Sequence, residues 1–339
     1  MFASRAKRFL AGALVPSAVV AVAAATGGCS TTQIAAASTV GIIGQAWPAI
    51  ERYEDPDLAE EAIPASIATM DGLLEIRPKD TELRLMVARA LGSYGFGFME
   101  DHMEAALAND DEKGSEHFRK RAALAYGRCR DLALGNLTLW EDEGGGAQAQ
   151  LKKGVPAWTD YLKKFDDAEK VVPTLFWGAY CWGRYIGVNR DDMNAIADLP
   201  YASALADRVL ALDPTYYGHA PHALRGGLLG TVPAQLGGKP QEAKKEFEAS
   251  ISATQGKNLM YLVIEAQIVA VALQDRALYQ KLLNTTLSAP VNIDPDQVLV
   301  NQLAKRRAER YLAQTDQLFA PEEPPAAPAP TAPAPTPAH

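Results

Sequence analysis

Apolar side chains recur every three to four residues along almost the whole chain, and alternating polar–apolar runs are hard to find. That period matches the turn of an α-helix, so each segment has one face built for packing and the expected fold class is all-α. Between residues 57 and 76, Leu58, Ile63, Ile67, Met70, Leu73 and Leu74 share one stripe. Arg77-Pro78 ends it, because proline disfavours helical dihedrals in the residue before it. Thr81 is the expected cap of the next helix, which runs through Leu83, Val87, Leu91, Tyr94 and Phe98. Further helices are predicted over 115–139, 156–170, 173–188, 200–212, 222–229, 240–254, 259–273, 275–288 and 294–319. Several open on Pro or a short polar residue, as helix N-termini prefer. Gly144-Gly145-Gly146 marks a loop. The nearly all-apolar stretch 259–273 is too short to span a bilayer and holds Glu265 and Gln267, so it reads as a buried inner helix.

Two of these segments carry a repeat signature. Residues 202–214 (ASALADRVLALDP) look like the second helix of a tetratricopeptide unit with its closing Asp-Pro. In 240–254, Ala243, Phe247 and Ser250 stand where such a helix packs small residues against its partner. Pro78 and Pro214 are 136 residues apart, four repeats of 34. The expected architecture is a solenoid of tetratricopeptide-like helical hairpins, followed by a disordered Pro/Ala-rich tail.

The ends of the chain have other jobs. Arg5, Lys7 and Arg8 precede an apolar run from residue 9 to 26, closed by Gly27-Gly28-Cys29-Ser30. This is the three-part pattern of a bacterial signal peptide over 1–28, with Cys29 placed for lipidation. Thr26, three before the cysteine, replaces the usual Leu. An uncleaved membrane span is the rival reading, but the run is short and weakly apolar for one. Residues 29–54 read as a small-residue tether and 55–319 as the repeat domain, about 265 residues and enough for a sizeable core. From 320 to 339 the chain is almost wholly Pro, Ala and Thr, an extended polyproline spacer with a reach of roughly 60 Å. Loss of the three leading cations moves the net charge from −8 to −11, which disfavours nucleic acid as a partner. The remaining cysteines, Cys129 and Cys181, each lie in an apolar helical pattern. Two buried thiols are favoured over a pair, although an oxidising periplasm permits the bond.

Taken in order, several segments resemble one family. They are 61–78 (EAIPASIATMDGLLEIRP), 83–100 with Tyr94 and Phe98, 121–137, 174–186 (TLFWGAYCWGRYI), 197–214, 218–238 (GHAPHALRGGLLGTVPAQLGG), 275–290 (DRALYQKLLNTTLSAP) and 301–312. Together they are similar to the T component (TatT) of tripartite ATP-independent periplasmic (TRAP) transporters, over essentially the whole folded body. The resemblance implies a periplasmic lipoprotein of tetratricopeptide-like helices that associates with a TRAP-type substrate-binding protein, itself a carrier of organic acids or apolar ligands. It carries over no catalytic residue. Ser30 after the lipidation site resembles proteins passed on to the outer membrane.

The candidate ligand- or partner-binding residues fall in two places. Trp177 and Arg184 sit on one face of an aromatic-dense helix with Tyr180, where a ring and a guanidinium can grip an acidic or apolar ligand. The plainer reading is core packing, with Arg184 paired to a carboxylate. Tyr217, His219 and Arg225 surround Pro221 in a helix-joining loop that can face a groove. His219 and His222 lack a third ligand at metal-site spacing, so no metal or cofactor is expected. No nucleophile elbow, zinc-protease motif or phosphate loop is present, and the chain reads as a non-enzyme. A homo-oligomer, a general tetratricopeptide lipoprotein of envelope assembly or secretion, and a peptidoglycan hydrolase remain alternative readings.

Overall fold

The computed structural model describes residues 20–319, with side chains from Thr31 onward. Residues 1–19 of the expected signal peptide, the Cys29 side chain with its expected lipidation, and the expected tail at 320–339 therefore lie outside the described residues. Every regular element among those described is helical, in agreement with the all-α expectation.

The order is α1 (Val20–Glu51), α2 (Pro56–Ile76) and α3 (Thr81–Tyr94). A π-helical turn (Gly95–Met99) then leads into α4 (Glu100–Ala108) and α5 (Glu112–Trp140). Next come α6 (Gly146–Lys152), α7 (Val155–Leu162), α8 (Ala168–Val188), α9 (Met193–Ala197), α10 (Leu199–Leu212), α11 (Tyr216–Gly230) and α12 (Pro240–Ala253). α13 (Leu259–Glu265) runs into a second π-helical turn (Ala266–Ala270), and α14 (Arg276–Ser288), α15 (Val298–Ala313) and α16 (Thr315–Leu318) finish the body. Aspartates start many of these helices. Asp55 accepts the Asp57 amide at 2.9 Å beside Pro56, and Asp111, Asp167 and Asp275 cap α5, α8 and α14 in the same way. The cap of α3 is Asp80, which accepts the Leu83 amide at 3.1 Å, not Thr81 one residue later.

Helices pack chiefly on near neighbours in the chain: α2 on α3, α3 on α5, α5 on α8, α8 on α10, α10 on α11, α11 on α12. The 259–273 segment is buried as expected, Leu259 to Val263 and Val269 to Ala270 all inside the core. α15 departs from this sequential order, because it packs not only on α13 and α14 but also on α1, α2 and α4. The contact is strongly ionic. Arg310 donates to Asp101 at 2.8 Å and to Glu104 at 3.0 Å, Arg306 reaches Asp101 at 2.8 Å, and Arg307 lies between both acids while only 2% exposed. Buried charges of this kind add little net stability but strongly penalise any arrangement that separates them. They hold the last long helix in one register against the first third of the chain.

Two further sequence expectations change. The stretch 29–54, expected as a tether, is helical to Glu51, and Ala36, Val40 and Trp47 are buried. Its Ala, Ser and Thr residues suit a helix that lies close to its neighbours, and the sparse apolar positions are all that the contact needs. Cys129 and Cys181, expected as free thiols, form a disulfide between α5 and α8, with their Cα atoms 6.0 Å apart. Gly92 of α3 makes room for the pair: a Cβ there would come within 2.9 Å of the Cys181 Sγ.

Candidate functional site

α8 sets most of the candidate site. Positions 176, 180 and 184 recur every four residues, and 177 lies beside them, so Phe176, Trp177, Tyr180 and Arg184 share one side of the helix. Their rings touch: Trp177 and Tyr180 have centroids 5.3 Å apart, and Phe176 and Tyr180 stack at 6.1 Å. From the π-helical turn, Phe96 meets Tyr180 edge-on at 6.4 Å. The turn is possible because Gly95 leaves space for Tyr126, whose ring would lie 2.8 Å from a Cβ there. π-Helical turns widen a helix locally and are frequent at functional positions.

α11 supplies the other end of the wall. Tyr217, Gly218 and His219 all have positive φ, at 48°, 66° and 58°, a complete left-handed turn with two non-glycine residues. Such residues are costly for an L-amino acid and persist only where the surroundings enforce them. Here the Tyr261 hydroxyl donates to the Gly218 carbonyl at 3.1 Å and the Ser250 hydroxyl to the His219 carbonyl at 2.7 Å. The outcome is that Tyr216 and Tyr217 both swing onto α8, 5.2 Å from Phe176 and 5.9 Å from Trp177. Tyr217 keeps 38% of its surface open, whereas Trp177 is only 4% exposed. The wall is therefore solid core behind and accessible in front.

Two guanidiniums border the wall. Arg184 is clamped by Glu100, with Nε 2.8 Å from Oε1 and Nη2 in contact with Oε2, and it lies over Phe96 at 4.8 Å. Burial, followed by the like charge of Arg307, lowers its pKa to about 9, so it remains charged at neutral pH. Arg89, from α3, sits over the rings of Trp47 and Tyr217 and pairs with Glu51 at the end of α1. The Tyr217 hydroxyl also donates to Glu51, at 2.7 Å. Burial, then the negative charge of Glu51, raises the Tyr217 pKa, which keeps the phenol a donor.

The structure thus brings together three residues singled out from the sequence: Trp177, Tyr217 and, at the far end, Arg184. It does not bring the other two to the wall. Arg225 forms an ion pair with Asp207 of α10, and His219 contributes a backbone carbonyl to the turn. His222 pairs with Glu246 at 2.7 Å. Among the described residues, no group of three or more His, Cys, Asp or Glu is arranged to hold a metal ion. Arg89, Glu51, Phe96 and Tyr216 were not foreseen.

A separate open groove, about 810 Å³, runs along the outer face of α5 between Arg84, Arg119, Arg128 and Tyr185. Most of its cations are already neutralised: Arg119 by Glu116 and Arg128 by Asp71. That is the pattern of a solvated ionic surface.

A helical body of this sequence, with its aromatic α8 and ion-paired α15, matches the profile of the TRAP transporter T-component over residues 52–319. The chain belongs to the TRAP transporter T-component family. No curated protein matches it. Membership assigns the protein a role in TRAP transport systems, a family of transporter components and not of known enzymes. No helix among the described residues is long and apolar enough to cross a membrane.

Proposed function

We propose that this T component is a non-catalytic, lipid-anchored binding subunit on the periplasmic face of the outer membrane. In this reading its helical hairpins form a tetratricopeptide-like solenoid that docks a TRAP-type substrate-binding protein. A small organic ligand contacts the wall formed by Trp177, Tyr217 and Arg184. The observation that carries the reading is the wall itself: rings from α8, α11 and the π-helical turn, bordered by two guanidiniums and open at Tyr217. Aromatic faces with a few fixed polar groups are the usual composition of small-molecule sites. The Cys129–Cys181 disulfide supports an oxidising compartment. Lipid anchoring would hold the docked partner at high effective concentration near the membrane. His219 and Arg225, away from the wall, are proposed to face the protein partner.

Cross-linking in native membranes, followed by purification on the tagged chain and mass spectrometry, tests the docking. A TRAP-type substrate-binding protein is expected in the cross-linked band. Its absence, with an envelope-assembly or secretion protein recovered in its place, would move the assignment to a general tetratricopeptide lipoprotein.

A further inference from the structure

At the open end of the aromatic wall, one carboxylate oxygen takes two donors. Glu51 Oε1 accepts from the Tyr217 hydroxyl at 2.7 Å and from Arg89 Nη2. The arrangement is incomplete on the guanidinium side, because Arg89 Nε is buried and has no hydrogen-bond partner among the described residues. A guanidinium binds a carboxylate best through two parallel N–H donors, and a lone buried N–H carries a desolvation cost. Glu51 is also badly placed for a permanent structural role. It is the last residue of α1, where the free carbonyl ends of the helix disfavour an anion, and no basic residue lies in that turn. Tyr217, for its part, is held in a left-handed conformation that a tyrosine adopts only under constraint. A strained donor, an under-used guanidinium and a poorly housed carboxylate meet at one point, with Trp47, Trp177 and Phe176 around it.

We propose that Arg89 and Tyr217 are the carboxylate-binding end of a site for a small organic acid with an apolar body, and that Glu51 occupies this end when no ligand is bound. The inference rests on the ligand reading above and gives it a chemical class. The aromatic wall takes the apolar body; the Arg89 fork and the Tyr217 hydroxyl take the acid group. Because Glu51 belongs to α1, ligand binding releases the last turn of that helix. A neutral ligand is a poor replacement for Glu51, since it leaves the partly buried guanidinium without a counter-charge.

The test is chemical rescue in the full-length chain carrying Cys29→Ala. Glu51→Ala empties the acid position. Its thermal unfolding is followed in sodium acetate or isobutyrate, with sodium chloride at equal ionic strength and isobutyramide as the neutral isostere. At about ten times Kd, carboxylate should raise the midpoint by about 3 °C beyond chloride. Isobutyramide should give no such rise, and Glu51→Ala/Arg89→Met should lose the carboxylate effect. Should Glu51→Ala not fold, Glu51→Gln is used in its place. There calorimetric titration with isobutyrate should show at least about tenfold tighter binding than the Cys29→Ala parent, a change of about 1.4 kcal/mol. Equal shifts in acetate and chloride, rescue by the amide, rescue that survives Arg89→Met, or unchanged isobutyrate affinity in Glu51→Gln would each overturn the proposal. Failure to recover a binding-protein partner, with rescue intact, would strike only the docking reading.

Discussion

The disulfide between α5 and α8 offers a perturbation whose size follows from the structure. Cys129 and Cys181 are 52 residues apart and both are fully buried. Closing a loop of that length removes chain entropy from the unfolded state equivalent to about 4 kcal/mol at 25 °C. For a helical body of this size, unfolding entropy near the midpoint is on the order of 0.6 kcal/mol per degree, so loss of the crosslink should lower Tm by about 7 °C. Calorimetry on the Cys29→Ala chain with and without reductant, after one unfolding cycle so that the bond is reached, measures this directly. Cys129→Ala/Cys181→Ala separates two effects. If the crosslink dominates, the double variant and the reduced parent melt within about 2 °C of each other, the residue being the small packing loss of two sulfur atoms. Thiol titration of the denatured, unreduced Cys29→Ala chain should find no free cysteine. Two free thiols, or a Tm indifferent to reductant, would refute the bond and with it the support for an oxidising compartment.

Other consequences are equally measurable. Glu265 is 2% exposed, and burial, followed by the charge of Glu248, pushes its pKa up to about 7 from 4.5. The native state then holds a proton that the unfolded state lacks between those pH values, so stability should fall by on the order of 3 kcal/mol from pH 4.5 to 7 and level off above. In urea titrations at pH 5 and pH 8, Glu265→Gln should remove most of that slope and exceed wild type at pH 8; an unchanged slope would assign it to other groups. Trp177→Ala should destabilise the fold by about 3–5 kcal/mol, because the ring is buried. Arg184→Ala should cost a similar amount, because it strands the Glu100 carboxylate, 3% exposed, without its cation. Denaturant midpoints shifted by less than about 1 kcal/mol would instead mark either side chain as a surface contact. Cys29→Ala should release the protein from membranes with its circular dichroism unchanged; retention after a salt wash would exclude the lipid anchor.

Much of the fold is legible in the sequence because helix periodicity and capping are local properties. The apolar period places the helices at 57–76 and 200–212, and the 259–273 stretch reveals its burial by composition alone. Asp167, which caps α8, falls inside the helix expected over 156–170. Long-range facts are not written that way. Residues 29–54 looked like a tether because Ala, Ser and Thr dominate, although Ala36, Val40 and Trp47 lie at spacings that suit one helical face. The Cys129–Cys181 bond depends on how closely α5 and α8 approach, which spacing along the chain does not encode. Trp177 and Arg184 could be singled out because aromatics and a lone arginine stand out in one helix, and Tyr217 because it lies in the helix-joining segment around Pro221. Arg89 could not: its significance comes from Glu51, 38 residues away, and from Tyr217, 128 residues further on. The left-handed turn at 217–219 was equally hidden, since only Gly218 favours it by itself.

The central claim is that the wall around Trp177 and Tyr217 holds a small molecule. Native mass spectrometry of the protein purified gently from its own membranes tests this most directly. A bound organic acid in wild type, retained in Arg225→Ala and lost in Arg89→Met, is the predicted result. A wild-type spectrum with no adduct under any loading condition, or an adduct that survives Arg89→Met, would contradict it.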